Sequence, residues 1–295
     1  MSARPETRFP TTRYLFPWGV ILLALGLRLI RLTFQPLWWD EGWSLYFATT
    51  DVRSMLALTA VDIHPPLYYL LLHLWIRLFG PSPLSVRLMS VLIGAAAVPL
   101  MLILGQRLLG RSGGRLAALL LALSPFAVYY SQEVRMYGLV MLLGLAAWYF
   151  ALRIENWELS IEHWSLVIGH WSLGSWAGYV LAATAALYTQ YYAAFLLLAL
   201  NLVVLARWRR ARRPWRSLLP WGAAQLAVAL LFAPWLWYAG GKLTTYVRFK
   251  VGVEADRPLG LLTYLARHLA AFNWGHAEGP LAAWWWLGLS PLLLL

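Results

Sequence analysis

Apolar runs of membrane-spanning length, separated by short arginine clusters, constrain this 295-residue chain more than any other feature. A helix needs about 20 apolar residues to cross the hydrocarbon core of a bilayer. Runs approach or reach that length at about 14–34, 65–79, 84–106, 115–130, 137–152, 175–189, 191–206, 217–238 and 281–295. The composition agrees: 12% of residues are charged, against roughly 25% in a soluble domain. A membrane β-barrel would show alternating strands of about ten residues, whereas these runs are unbroken Leu, Ala and Val. The expected fold class is all-α, a polytopic transmembrane helical bundle forming a single module over residues 1–295. No small-residue cleavage site follows the first run, so it reads as a retained span. Cysteine is absent, which excludes disulfides and thiolate metal sites.

The formal charge of +12 would suggest nucleic acid for a soluble protein. Here the arginines fall between apolar runs, where they report membrane orientation, and no nucleic-acid partner is expected. Arg4, Arg8 and Arg13 put the N-terminus in the cytoplasm. Arg107, Arg111 and Arg115 form a second cluster, and six arginines between 207 and 216 form a third. Both fall inside if 65–79, which opens on Pro65-Pro66 and carries His73 and Arg77, does not cross. The outer face then collects 35–83, 129–137, 188–192 and 239–280. Residues 42–60 read as an interfacial helix. Trp38, Trp39 and Trp43 read as an aromatic belt. Arg28 and Arg31, near the outer end of the first span, read as snorkelling, with an anionic ligand as the alternative.

Four outer pieces carry the polar chemistry. Asp40 and Glu41 follow the first span. Asp62 and His64 precede Pro65-Pro66, which blocks helix continuation. In "SQEVRMY", 131–137, helical spacing pairs Glu133 with Tyr137 and Ser131 with Arg135. The segment 239–280 carries Lys242, Arg248, Lys250, Arg257, Arg267, His268 and His276. Carboxylates beside an apolar wall suit general-base chemistry. An arginine beside them suits a phosphate. Acids and histidines without cysteine permit a hard divalent metal as cofactor, although no metal ligand is assigned. These features point to a lipid phosphate approached from the bilayer, with helix-packing ion pairs as the competing account.

Residues 156–176 repeat a heptad and set His163 and His170 seven apart, so that one helix face could carry both. An in-frame repeat in a tolerant cytoplasmic insert, 153–174, explains this without a metal. "GRSGGR" is too short for a phosphate loop.

The order Asp-Glu after the first span, then "HPPLYY", then "YSQEVRMY" resembles the GT-C glycosyltransferase superfamily. Within it, the chain is similar to the dolichyl-phosphate-mannose–protein mannosyltransferase family, which includes bacterial aminoarabinose transferases. "RLMSVLIGAAAVPLMLILGQRLLG" and "ALYTQYYAAFLLL" extend the resemblance over about 14–206. The resemblance implies an inverting transferase of the cell inner (plasma) membrane, working on its extracytoplasmic face. It implies a polyprenyl-phosphate sugar donor, a lipid, protein or glycan acceptor, and membrane lipids as surroundings. It gives Asp40 the role of catalytic base and Glu41 that of its partner. It places His64, Gln132, Glu133, Arg135, Tyr137 and Tyr191 around the substrate. The family often has an acid shortly before Pro-Pro, where this chain has His64. Relatives continue through further helices, so a C-terminally truncated member is expected. A flippase of lipid-linked saccharides, or an inactive truncated pseudoenzyme, stands as the alternative.

Overall fold

The computed structural model describes residues 12–62, 64–159, 170–253, 260–274 and 286. Arg4, Arg8, Arg257, His276 and the repeat centre 160–169 with His163 lie outside these, as does 281–295 apart from Trp286. The described residues form α-helices and no strand, in accord with the all-α expectation. In chain order the helices are α1 (Thr12–Leu29), α2 (Trp39–Thr49), α3 (Val52–Val61), α4 (Leu67–Phe79), α5 (Pro83–Leu123), α6 (Pro125–Ser131), α7 (Tyr137–Leu159), α8 (His170–Thr189), α9 (Ala193–Arg210), α10 (Leu219–Val253) and α11 (Leu261–Trp274). A 3-10 turn, Trp215–Leu218, leads into α10. Among the described residues, the helices long and apolar enough to span are Pro83–Leu123, Tyr137–Ile154 and Trp215–Phe249.

α5 is two antiparallel arms joined at Gly110, whose backbone (φ 75°, ψ 179°) is open to glycine and strained for other residues. The arms nearly touch: a β-carbon on Gly114 would fall 2.4 Å from the Gln106 nitrogen, and one on Gly105 would fall 2.8 Å from the Gly114 α-carbon. Small residues of this kind let membrane helices approach closely. α1 packs into the hairpin through Val20 and Ala24 against Val98, Leu102, Ala118 and Ala122. α7 to α10 form a second bundle around Ala147, Ala151, Tyr179, Ala183, Leu200, Trp221 and Val228.

A third core gathers Phe47, Met55, Tyr68, Tyr69, Leu72, Val86, Val134 and Met136. It seats α2, α3 and α4. At about 1.5 Å per residue, the 13 residues of α4 extend some 20 Å, short of the roughly 30 Å core. The expected single helix over 42–60 is two, because Asp51 caps α3 by accepting from the Ser54 N–H (3.0 Å). The expected apolar run 115–130 also breaks, at Ser124-Pro125, where α6 begins with Ser124 as its cap. The segment from 239 is helical as far as Val253, as the continuation of α10.

The bundle has two unlike ends. The Gly110 bend, the C-termini of α7 and α9 and the start of α10 carry Arg107, Arg111, Arg115, Arg153 and the 207–216 cluster. Several of these arginines rest on aromatic faces. Arg107 and Arg153 lie 4.7 and 5.8 Å from the Tyr149 ring, and Arg115 lies 5.2 Å from Phe16. The opposite end gathers the C-terminus of α1, α2 to α4, the start of α5 and the turn 132–136.

Candidate functional site

Two adjacent carboxylates take opposite orientations here because successive helical residues point about 100° apart. Both fall in the first turn of α2, where a helix favours negative charge. Glu41 turns inward and is wholly buried. Arg87 meets it with a bidentate fork, Nε to Oε1 at 2.9 Å and Nη2 to Oε2 at 2.6 Å. Glu41 also accepts from the Trp38 N–H (3.2 Å) and the Val134 N–H (3.1 Å). The other donors of Arg87 reach the carbonyls of Leu32 (2.9 Å), Gln35 (2.9 Å) and Pro36 (3.1 Å). One ion pair thus ties α5, the chain after α1, the start of α2 and the turn 132–136 together. Its geometry is that of a lock between these segments.

Asp40 turns the other way, and its side chain is 40% exposed. Its Oδ2 lies 3.8 Å from Arg135 Nη2, and its carbonyl accepts from Arg135 Nη1 at 3.4 Å. Arg135 Nη2 also lies 3.5 Å from His64 Nε2, and His64 Nδ1 is 3.0 Å from Asp62 Oδ2. A guanidinium can only donate. His64 therefore accepts at Nε2 and carries its proton on Nδ1, toward Asp62. Arg135 Nε is buried and has no hydrogen-bond partner among the described residues.

Asp40, Arg135 and Tyr137 stand in a wall shared by two cavities. The first, about 820 Å³, is polar along Arg31, Gln35, Gln132 and Glu133. The second, about 660 Å³, is faced by Trp39, Trp43, Phe47, Leu58, Val61, His64 and Tyr246. Both fall in the size range of small-molecule sites. In the first, burial pushes the Glu133 carboxyl up to about 7, with Glu41 and Asp40 adding to the rise and Tyr129 and Arg135 opposing it.

The expected residues fare unequally. Asp40, His64, Glu133, Arg135 and Tyr137 converge. Gln132 lines the first cavity, but its amide N–H groups are taken by the carbonyls of Arg28 (3.0 Å) and Ile30 (2.9 Å). Tyr191 lines neither cavity; its hydroxyl accepts from Trp235 (2.9 Å) beside Phe232. The helical spacing read into 131–137 fails, since α6 ends at Ser131 and α7 starts at Tyr137. Arg28 does not snorkel: it is fully buried and donates to Ser131 Oγ (3.1 Å) and to the carbonyls of Ala24, Ala122 and Leu121. Arg31 is exposed over Phe34 (4.4 Å), at a left-handed turn (φ 56°) that ends α1. In the segment from 239, Tyr246 reaches a cavity, while Lys242 lies over Tyr238 (4.1 Å).

Arg87 was missed by sequence reasoning, though a lone arginine inside an apolar run does signal a buried partner. For a divalent metal the donor set fits poorly. Among the described residues no three acids and histidines stand close enough together to hold one metal ion, and Nε2 of His64 meets the cation Arg135.

Residues 63–238 match the family described as dolichyl-phosphate-mannose-protein mannosyltransferase. No curated protein matches the chain. Among solved structures, ArnT from Cupriavidus metallidurans in the apo state is similar, with a TM-score of 0.58 and 17% identity over 90% of this chain and 50% of that one. The same protein bound to undecaprenyl phosphate gives a TM-score of 0.57 at 17% identity, over 94% and 50%. The S. cerevisiae protein O-mannosyltransferase Pmt1-Pmt2 complex bound to the sugar donor gives 0.51 at 19% identity, over 79% and 34%. The chain thus spans half the length of the ArnT chain it matches. At these identities the likeness is one of fold.

Proposed function

This chain belongs to the dolichyl-phosphate-mannose-protein mannosyltransferase family, and from that premise we propose an inverting membrane glycosyltransferase. It moves a sugar from a polyprenyl-phosphate carrier to the hydroxyl of a lipid, protein or glycan acceptor, on the extracytoplasmic face of the inner (plasma) membrane. The observation that carries this reading is the placing of the Asp40 carboxylate and Arg135 in the wall between two cavities. A transfer reaction needs two substrates to meet at one base, and a shared wall offers that meeting point. The carrier is supported by the ArnT structure bound to undecaprenyl phosphate and by the donor-bound yeast complex. Orientation is supported by the arginine clusters at the end opposite the cavities.

In this reading the apolar, aromatic second cavity takes the first isoprene units of the carrier. Its phosphate reaches Arg135, whose guanidinium stands in the shared wall and supplies charge-assisted donors. The acceptor hydroxyl enters the first cavity and gives its proton to Asp40 as its oxygen attacks the anomeric carbon. The bond from that carbon to the phosphate oxygen breaks, and the electron pair leaves on the phosphate. Attack opposite the leaving group inverts the centre. Asp62 holds the His64 tautomer so that Nε2 faces Arg135 and orients it. Glu41 and Arg87 fix the start of α2 and so aim Asp40.

The test is transfer by purified protein in liposomes from a radiolabelled polyprenyl-phosphate sugar. Asp40→Asn is expected to lower turnover by roughly 10²–10⁴-fold, the scale of a general base, while the donor remains bound. Near-normal turnover in that variant would remove Asp40 from the role. Movement of donor across the bilayer with no transfer by wild type would instead favour a flippase.

A further inference from the structure

Arg28, near the end of α1, is fully buried, and its partners are all neutral. A buried arginine in a membrane protein is costly and marks a function by default. The break between α5 and α6 sets its surroundings. Pro125 has no N–H, so the Leu121 carbonyl lacks the donor that a continuous helix would give it. Arg28 Nη2 reaches that carbonyl at 3.4 Å, and Nη1 donates to the carbonyls of Ala122 (3.3 Å) and Ala24 (3.1 Å). The C-terminal end of α5 also favours positive charge. Arg28 Nε then donates to Ser131 Oγ at 3.1 Å, while the Ser131 hydroxyl proton goes to the Ala127 carbonyl. Gly94 on the first arm of α5 makes room for this joint. A β-carbon there would fall 2.7 Å from Ser131 Cβ and 3.4 Å from Arg28 Nε. The next residue is tied as well: Gln132 Nε2 donates to the carbonyls of Arg28 (3.0 Å) and Ile30 (2.9 Å).

We propose that Arg28 is a positioning residue: through Ser131 and Gln132 it fixes where the turn 132–136 leaves α6, and so where Glu133 and Arg135 stand in the cavity walls. Both of those residues are buried, and they follow the joint at once. The other tether of the turn is the Val134 N–H on Glu41 (3.1 Å). The turn is thus held from α1 on one side and from α2 on the other. Arg28 sets Arg135 as Glu41 and Arg87 set Asp40. Packing alone needs no guanidinium, since apolar side chains of similar volume fill buried sites at least as well as charged ones. A planar fork with five donors can join α1, the end of α5 and α6 at one point, which an ammonium or an apolar side chain does less well.

The consequence for transfer rests on the glycosyltransferase reading; the geometry can be tested without it. The chain has no cysteine, so Glu133→Cys reports on the turn and Ala60→Cys, fully buried against Phe232 and Trp235, serves as control. In purified full chain, maleimide labelling of both is expected to be slow. Adding Arg28→Met is expected to speed labelling at 133 by roughly tenfold or more, the scale of one lost charged hydrogen bond in a local opening, and to leave position 60 slow. Gly94→Ala crowds the joint while keeping every polar atom, and is expected to give the same pattern should Arg28→Met fail to fold. Unchanged labelling at 133, or equal acceleration at 133 and 60, would overturn the proposal. In the transfer assay, either variant on its own is expected to lower kcat/KM for the donor by up to roughly 10²-fold, the scale of a ~1 Å misplacement. The loss should fall on KM more than on kcat, because Asp40 is aimed separately from α2. A fall in kcat at unchanged KM would overturn the assignment of Arg28 to Arg135. Absence of transfer by wild type, with labelling as expected, would remove the transferase reading alone.

Discussion

Asp40 and Glu41 are neighbours that a sequence cannot tell apart, and the fold divides their work. Glu41 is sealed against Arg87 and two backbone N–H groups, while Asp40 faces the cavities. Removing one partner of a buried pair costs about 3–5 kcal/mol, because the other charge is left uncompensated. Arg87→Met is therefore expected to lower the thermal unfolding midpoint sharply. Adding Glu41→Gln should restore part of the loss, as coupled sites do. An additive double variant would contradict the lock. Glu133 sets a second expectation. Its carboxyl is raised from 4.5 to about 7, so the fold favours the neutral form. That contribution to stability is full below pH 4.5 and is lost as pH rises through about 7. Above it a second negative charge stands near Arg135, so donor KM should climb from pH 6 to 8 and flatten in Glu133→Gln. A wild-type KM with no trend would contradict the burial account. The acids and Arg135 were legible in the sequence because their short motifs keep order. Arg87 was not, because its five acceptor atoms all lie in residues 32–41, a distant part of the chain that spacing cannot join to it.

At the level of elements, periodicity found most helices but not their breaks. Asp51 and Ser124 are both capping residues, and each divides a run that hydropathy alone reads as continuous. Conversely, 132–136 has helical spacing of polar residues and is not helical. Val134 and Met136 are drawn into the core beneath α2, and Glu41 takes the Val134 N–H that a helix would have used. The α5 hairpin gives a contrast between glycines. Gly114→Ala drives a β-carbon into the backbone of the facing arm, whereas Gly19 in α1 has nothing within 4 Å. Gly114→Ala is expected to lower the unfolding midpoint. Gly19→Ala should leave the midpoint equal or raise it, since alanine is favoured over glycine inside a helix by up to about 1 kcal/mol. Equal effects at both positions would mean that the arms do not meet as described.

The whole molecule is a bundle with arginine and aromatic residues at one end and a paired cavity at the other. Arginine distribution made this polarity readable from the sequence, since the same rule that orients the helices also sorts the polar motifs. The cavities themselves were not readable, because α2, α3 and the turn 132–136 close them from segments far apart in the chain. The transfer proposal depends on the two ends facing opposite sides of the membrane, with the cavities outside and the arginine-rich end in the cytoplasm. The chain has no cysteine, so single replacements report without background. Trp39 and Arg212 are exposed at the two ends. In right-side-out vesicles a membrane-impermeant maleimide should label Trp39→Cys directly and Arg212→Cys after permeabilisation alone. Labelling of both from outside, or in the reverse order, would contradict the account.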